Sequence, residues 1–140
     1  MESRSIQLSA KESAGQKLIR GHLGSLEADL MQLLWEQPDG LAVRDLVQAL
    51  PGRKRAYTTV MTVTARLHEK GLLDRTPVGR AYVYRPALSR DEFIHRLSSE
   101  RVRGLIAEFG DLAVTHFVGE VRQLPRSEIE RIREMLSEDE

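Results

Sequence analysis

The chain has 140 residues, 41% of them hydrophobic, which suffices for one ordinary domain with a smaller appendage. It has no cysteine, which excludes disulfides, thiolate metal sites and cysteine nucleophiles, and we expect no metal ion or cofactor. The 21 basic and 21 acidic residues are unevenly distributed, because residues 1–88 carry 13 against 9, a surplus typical of a module that binds a polyanion.

The N-terminal residues 1–22 are polar and show no sustained periodicity, so the sequence predicts a flexible arm. No apolar run approaches the roughly 20 residues of a membrane span, and the N-terminus lacks the apolar segment of a signal peptide. We therefore expect a cytoplasmic protein without membrane insertion.

Two helices are predicted next. The first begins after Ser25 as N-cap and is ended by Gln37-Pro38-Asp39-Gly40, because Pro and Gly cannot continue a helix and Asp-Gly is a turn signal. We expect Trp35 in its core or at its rim, beside a buried stripe formed by Leu26, Leu30, Leu33 and Leu34. A second, two-turn helix is indicated by apolar residues at helical spacing, namely Val43, Leu46, Val47 and Leu50.

A third helix is predicted from Ala56 to about Lys70, stopped by Gly71. At about 100° per residue, its inner face consists of Ala56, Val60, Val63 and Leu67. The opposite face carries small hydroxyls and arginines, namely Arg55, Thr58, Thr62 and Arg66. Such a face can approach a surface rich in hydrogen-bond acceptors, as the major groove of DNA is. The short helix, the tight break and the longer helix have the order of a helix-turn-helix.

A β-hairpin is predicted directly after this helix. Leu72–Thr76 and Arg80–Arg85 are two β-type segments around a turn at Pro77-Val78-Gly79. Tyr82 and Tyr84 share one face of the second strand. A helix-turn-helix followed by such a hairpin is a winged helix, and Arg80 at the wing tip is placed to grip phosphate.

Beyond Pro86 three short amphipathic helices are predicted, opened by Ser89, Asp111 and Ser127 as N-caps. So small a unit cannot bury all its apolar stripes, which favours burial against a second copy over folding back on the N-terminal domain. The expected dimerisation residues are Phe93, Leu97, Leu105, Ile106, Phe117, Val118, Val121, Ile129, Ile132 and Leu136.

The fold expected from these patterns is mainly α with a small antiparallel β wing. Residues 1–22 form the arm, residues 23–88 a winged helix-turn-helix DNA-binding domain, and residues 89–140 a C-terminal helical dimerisation region.

Several stretches of the chain resemble the penicillinase-repressor (BlaI/MecI) family of bacterial winged-helix transcription repressors. They read LGSLEADLMQLLW at 23–35, AYTTVMTVTARLHEKGLL at 56–73, AYVYRP at 81–86, THFVGEV at 115–121 and SEIERIREML at 127–136. The resemblance implies a homodimer on a palindromic double-stranded DNA operator. It gives DNA-facing roles to Thr58, Thr59, Thr62 and Arg66 and a wing role to Arg80. Arg53 and Arg55, at the start of the third helix, complete the expected DNA-binding set.

The resemblance also implies control of the β-lactam response or related genes, with a membrane sensor-protease as inducer. In such relatives the protease triggers cleavage at an Asn-Phe bond in the C-terminal region. The corresponding stretch here reads Ser99-Glu100-Arg101-Val102-Arg103, without that bond.

Two other classes of function fit the sequence less well than repression. An enzyme requires a convergent acid, base or nucleophile, and the four histidines lie in separate segments without carboxylate pairs, so no catalytic residue is expected. A winged helix that only binds proteins is the stronger rival. The basic, hydroxylated third helix argues against it.

Overall fold

The computed structural model describes residues 14–138. After helix α1 over residues 14–22, the chain forms α2 (Ser25–Glu36), β1 (Leu41–Ala42), α3 (Val43–Ala49), α4 (Tyr57–Glu69), β2 (Leu73–Val78), β3 (Ala81–Pro86), α5 (Arg90–Phe109), α6 (Asp111–Arg122) and α7 (Arg126–Ser137). This arrangement of helices with one small antiparallel sheet confirms the predicted fold class. The chain divides into two compact units, Met1–Leu97 and Ser98–Glu140.

Helix α1 corrects the prediction of an irregular arm for residues 14–22. Ile19 is buried in the core of the first unit, and Leu23 follows it there. Gly15 permits a close approach to α5, since a Cβ atom at this position would lie 2.9 Å from Cδ1 of Ile94. The helix has too few apolar residues to show a period, and this contact across the fold stabilises it instead. The remaining part of the predicted arm, residues 1–13, lies outside the described residues.

The core of the first unit is formed by apolar faces of α2, α3 and α4 with the inner side of the sheet. Helix α2 buries Ala28, Leu30, Met31 and Leu34. The predicted stripe is therefore corrected at Leu26 and Leu33, which are half-buried at the edge of the core. The N-cap is also one residue earlier than predicted, since Gly24 occupies it and Ser25 is the first helical residue.

The sheet has the strand order β1-β3-β2, with β3 antiparallel to both neighbours. Val78 pairs with Ala81, so the wing turn consists of Gly79 and Arg80 and begins two residues later than predicted. Pro77 lies within β2, where its missing N–H is tolerated because β2 is an edge strand. Arg80 thus occupies the turn itself.

The start of α5 belongs to the first unit. Ser89 accepts a hydrogen bond through Oγ from the backbone N–H of Glu92 at 3.1 Å, as predicted for this N-cap. Trp35 lies at the rim of the core, as expected, and its Nε1–H donates to the carbonyl oxygen of Leu88 at 3.0 Å. The Trp35 ring also lies 5.7 Å from that of Phe93, centroid to centroid. These contacts fix α5 to α2.

The second unit contains the rest of α5 with α6 and α7. The three predicted helices are present, but two N-caps differ: Gly110, with a φ of 58°, precedes α6 in place of Asp111, and Pro125 precedes α7 in place of Ser127. No side chain of residues 98–138 is buried. Among residues 14–138, no helix is long and apolar enough to cross a membrane.

Candidate nucleic-acid interface

Helix α4 divides into a buried and an exposed face. Val60 and Leu67 are fully buried, whereas Val63 is half-buried and Ala56 is the exposed N-cap. The side chains of the predicted DNA-facing set are exposed on the other side: Thr58, Thr59, Thr62 and Arg66. Apolar residues three and four positions apart therefore turn the hydroxyls and the guanidinium towards solvent.

Thr64 is a buried polar residue that the sequence prediction omitted from the inner face. Its hydroxyl donates within the helix to the carbonyl oxygens of Val60 and Met61, both at 2.9 Å. The position four residues after Val60 was the available signal. With its hydroxyl satisfied, Thr64 has a structural role.

The hydroxyl of Thr62 is hydrogen-bonded within α4. Its Oγ1 donates to the carbonyl oxygen of Thr58 at 2.9 Å, which occupies the only hydroxyl proton. In this rotamer the outward side of Thr62 can only accept hydrogen bonds. Phosphate oxygens offer no proton, whereas the amino groups of adenine and cytosine do. In this rotamer the outward-facing capacity of Thr62 matches the hydrogen-bond donors of base edges.

The N-terminal end of α4 is suited to an anion. Arg53 is exposed and Arg55 half-exposed in the turn that leads into the helix, with Lys54 between them. The N-cap Ala56 provides no side-chain hydrogen bond. The first turn of α4 has no acidic residue, whereas helices α2, α3, α5, α6 and α7 each have at least one. No carboxylate in the first turn of α4 therefore neutralises its unpaired backbone N–H groups or the positive end of its dipole.

Two of the three wing arginines are held on the strands. The guanidinium of Arg75 lies 4.2 Å above the ring of Tyr82, a cation–π contact. Arg85 donates from Nη2 to Oγ1 of Thr76 at 3.0 Å. Arg80 is exposed in the turn and has no hydrogen bond or ion pair with any residue of the described chain. Of the three wing arginines, it is the one whose guanidinium has no partner among the described residues.

Tyr57 and Met61 were not predicted on the exposed face of α4. Their side chains are 48% and 45% exposed. The helical wheel places them one turn apart on the edge nearest the hydroxyls, so their position was readable from the sequence. The exposed face of α4 can therefore form apolar contacts as well as the hydrogen bonds of its hydroxyls and arginine.

The expected dimerisation residues fall into two groups. Phe93 and Leu97 are buried within the core of the first unit. In the second unit Leu105, Ile106, Phe117, Val118 and Leu136 are exposed, while Val121, Ile129 and Ile132 are half-buried. Further large apolar side chains, not predicted, are exposed there: Val102, Phe109, Leu112, Val114, Leu124 and Met135.

Titratable side chains give no sign of a catalytic or metal centre in the described part of the chain. Residues 14–138 contain no group of three or more His, Asp or Glu side chains placed to hold a metal ion. Nor do they contain a buried side-chain nitrogen or oxygen without a hydrogen-bond partner.

The chain is similar to several known transcription regulators. The sequence model described as "Penicillinase repressor" matches residues 23–138. The "Transcriptional regulator BlaI" of two Mycobacterium tuberculosis strains is 36% identical over 122 residues, covering 83% of both chains. Among solved structures, MepR of Staphylococcus aureus, a transcription regulator of the multidrug efflux pump MepA, is 23% identical with a TM-score of 0.48, covering 96% of this chain and 90% of that one. The transcriptional regulator Tm0710 of Thermotoga maritima is 21% identical with a TM-score of 0.47, covering 91% of each.

The curated relatives and the matched family are transcriptional regulators, which agrees with the expectation that the chain is not an enzyme. The match spans nearly all of the described residues, and it includes α4, the wing and the three C-terminal helices. On these grounds the chain belongs to the penicillinase repressor family of winged-helix transcription regulators.

Proposed function

We propose that the chain is a DNA-binding repressor of transcription that acts as a homodimer on a palindromic operator. Helix α4 of each protomer enters the major groove, and the wing contacts the adjacent phosphates. Repression then requires no chemistry, because the bound dimer occupies promoter DNA that RNA polymerase needs. We place the protein in the cytoplasm, where that DNA is accessible.

The exposed face of α4 is the single observation that carries the proposal. Its Thr58, Thr62 and Arg66 side chains are free of the core, and the basic turn at 53–55 precedes the helix. Side chains on the exposed face of a recognition helix contact base edges, while basic residues around it neutralise phosphates. Arg66 is the residue best able to form a bidentate contact with guanine, and Thr62 is suited to accept from an amino group.

The wing supports the phosphate contact. Arg80 projects from the Gly79-Arg80 turn, and the strands behind it are anchored by Tyr84, which is buried. A phosphate contact of this kind contributes affinity without sequence preference and depends on salt through release of counterions. We therefore assign Arg80 to positioning and the α4 face to readout.

The second unit supports the homodimer. Its helices bury no side chain within one protomer, although Phe117 and Leu136 are 65% and 76% exposed. An exposed apolar surface of this extent marks an interaction site. A second copy is the occupant we propose, because a two-fold protein matches a palindromic site with half-sites at a fixed spacing.

Release of repression is proposed to differ from that of relatives that are cut at an Asn-Phe bond. Residues 99–103 read SERVR, and this stretch contains neither asparagine nor phenylalanine. A membrane sensor-protease that requires that bond would find no substrate there. We therefore propose that induction proceeds by another route.

Selection of DNA from a random pool, followed by mobility-shift titration at two salt concentrations, tests the proposal. We expect enrichment of a palindromic sequence that is bound at least 10³-fold more tightly than random DNA, the lower end of the range for specific repressors. Both affinities should fall with salt. A winged helix that serves only as a protein adaptor would enrich no sequence, and that result would overturn the proposal.

A further inference from the structure

An apolar edge runs along the exposed face of α4. Taking Tyr57 as 0° on a helical wheel, Met61 lies at about 40°, Thr58 at about 100° and Arg66 at about 180°. The buried Val60 and Leu67 lie near 300° and 280° on the same wheel. The exposed face therefore has two unlike edges, one apolar with Tyr57 and Met61, and one polar with Arg66, separated by hydroxyls.

This apolar edge is not used within the protomer. Tyr57 and Met61 remain 48% and 45% exposed, and Tyr57 has neither a hydrogen bond nor a ring contact with any residue between 14 and 138. Elsewhere on the first unit, exposed helix positions carry mainly polar side chains, such as Arg44, Asp45 and Gln48 on α3. Burial and capping therefore do not account for Met61.

The occupant that fits this edge is indicated by its neighbours. The basic turn at 53–55, the exposed Arg66 and the hydroxyls of Thr58 and Thr62 all favour a partner with many acceptors and negative charge. Within the major groove of DNA the only apolar group is the C5-methyl of thymine. An apolar side chain beside hydroxyls on one helix face therefore matches a thymine beside polar base edges.

We propose that Met61, assisted by Tyr57, contacts the C5-methyl group of a thymine in each half-site and thereby selects thymine at that position. The inference rests on the proposed function, since it requires α4 in the major groove. The thioether of methionine is flexible and polarisable, which suits contact with a small methyl group at the groove floor. Tyr57, the first residue of α4, adds its ring at the helix end that contacts base edges in helix-turn-helix proteins.

Substitution of single thymines by deoxyuridine provides the test, because deoxyuridine lacks only the methyl group. The full chain is titrated with its selected palindrome and with versions that carry deoxyuridine at one symmetric pair of positions. At one pair we expect a loss of about fourfold per half-site, or roughly fifteenfold for the dimer, as for the burial of one methyl group at each. Deoxyuridine in the flanking DNA serves as the control.

Variants of Met61 identify the side chain that contacts the methyl. Met61→Ala and Met61→Gln should bind the thymine and deoxyuridine sites equally, whereas Met61→Leu should retain the preference. All four residues are good helix formers and the position is exposed, so α4 should remain intact. Gln48→Ala, at an exposed polar position on α3, serves as the control and should behave like the natural chain.

The outcomes separate this inference from the proposed function. Selective binding of a palindrome with equal affinity for thymine and deoxyuridine at every position would overturn the methyl contact alone. A preference that persists in Met61→Ala would likewise overturn the assignment to Met61. Absence of selective binding to any sequence would overturn the proposed function itself.

Discussion

At the scale of single residues, the proposed interface assigns base readout and positioning on DNA to different elements. Arg66 projects from α4 beside hydroxyls, whereas Arg80 projects from a two-residue turn at the end of the hairpin. We therefore propose that the same guanidinium group serves two purposes according to the element that carries it. A bidentate contact with a base distinguishes sequences, and a contact with phosphate does not.

Arg66→Ala should lower affinity for the selected operator by about 1 to 3 kcal/mol per contact and relax preference at one position of each half-site. Random DNA should be affected much less. Competition titrations with a set of single-base operator variants measure this. Arg66→Lys keeps the charge but loses the bidentate geometry, so it should resemble the alanine variant in specificity. Equal losses for operator and random DNA would contradict base readout by Arg66.

Arg80→Ala should weaken binding to all sequences alike and reduce the slope of log affinity against log salt by about one unit per protomer. The physical reason is the loss of one counterion-releasing contact. Anisotropy titrations at four salt concentrations, on operator and random DNA, provide the measurement. Arg80→Lys, which retains the charge, should keep the slope of the natural chain; an unchanged slope in Arg80→Ala would refute the wing contact.

At the scale of elements, the wing and the helix-turn-helix are joined where the chain passes from α2 into β1. Gly40 has a φ of 112° and lies against β3: a Cβ atom there would be 2.7 Å from Cγ1 of Val83 and 3.0 Å from the carbonyl oxygen of Tyr84. This close approach fixes the position of the wing relative to α2 and α3. The spacing between α4 and Arg80 depends on it.

Gly40→Ala should therefore destabilise the first unit by about 2 to 4 kcal/mol, through backbone strain together with overpacking against β3. Gly52→Ala is the matched control. Gly52 also has a positive φ, of 77°, but a Cβ atom there would have no neighbour within 4 Å, so only strain of about 1 to 2 kcal/mol is expected. Urea unfolding followed by the fluorescence of Trp35 measures both. Equal destabilisation would contradict a role for the contact with β3.

The elements differ in how far the sequence predicts them. Helix α4 was predicted within about one residue at each end, because Val60 and Leu67 supply a period and Gly71 a stop. The exposed DNA-facing set follows from the same period. The sequence places Pro77 in the turn of the wing, because proline cannot donate a hydrogen bond within a sheet. The strand order shows that β2 is an edge strand, where a proline is tolerated.

Features that depend on distant contacts were not predictable. The sequence does not predict helix α1, because contacts with distant parts of the chain stabilise it. Ile19 is buried in the core, and Gly15 packs closely against Ile94. Likewise, Asp111 and Ser127 are residue types that favour the N-cap position. The N-caps are nevertheless Gly110, one residue before Asp111, and Pro125, two residues before Ser127. Local preferences of about 1 kcal/mol are readily overridden by such constraints.

At the scale of the whole molecule, the two units have unlike surfaces. The first buries a continuous core that includes Phe93 and Leu97 at the start of α5. The second exposes apolar side chains on all three of its helices, among them Ile106, Phe117 and Leu136. Residues 98–140 carry 6 basic against 10 acidic residues, so DNA is not the partner suited to this unit. A second protomer remains the proposed one.

Phe117→Glu should convert the dimer to a monomer at micromolar concentration, because it places a charge in an apolar interface. The first unit should keep its stability, while affinity for the palindrome should fall to that of a single half-site. Analytical ultracentrifugation, operator titration and urea unfolding measure the three effects. Glu120→Gln, at an exposed polar position on the same helix, is the control. A natural chain that is monomeric at these concentrations would contradict the dimer.

In the proposed dimer, the second unit obtains folding free energy by association, since no side chain of residues 98–138 is buried within one protomer. Mass action then links its thermodynamic stability to the number of molecules in the cell, so dilution during growth weakens both pairing and folding. Unpaired helices are also open to general proteolysis, which removes single chains faster than paired ones. Repression by such a protein would decline steeply below a threshold copy number, and its rate of synthesis would serve as a control point in its own right.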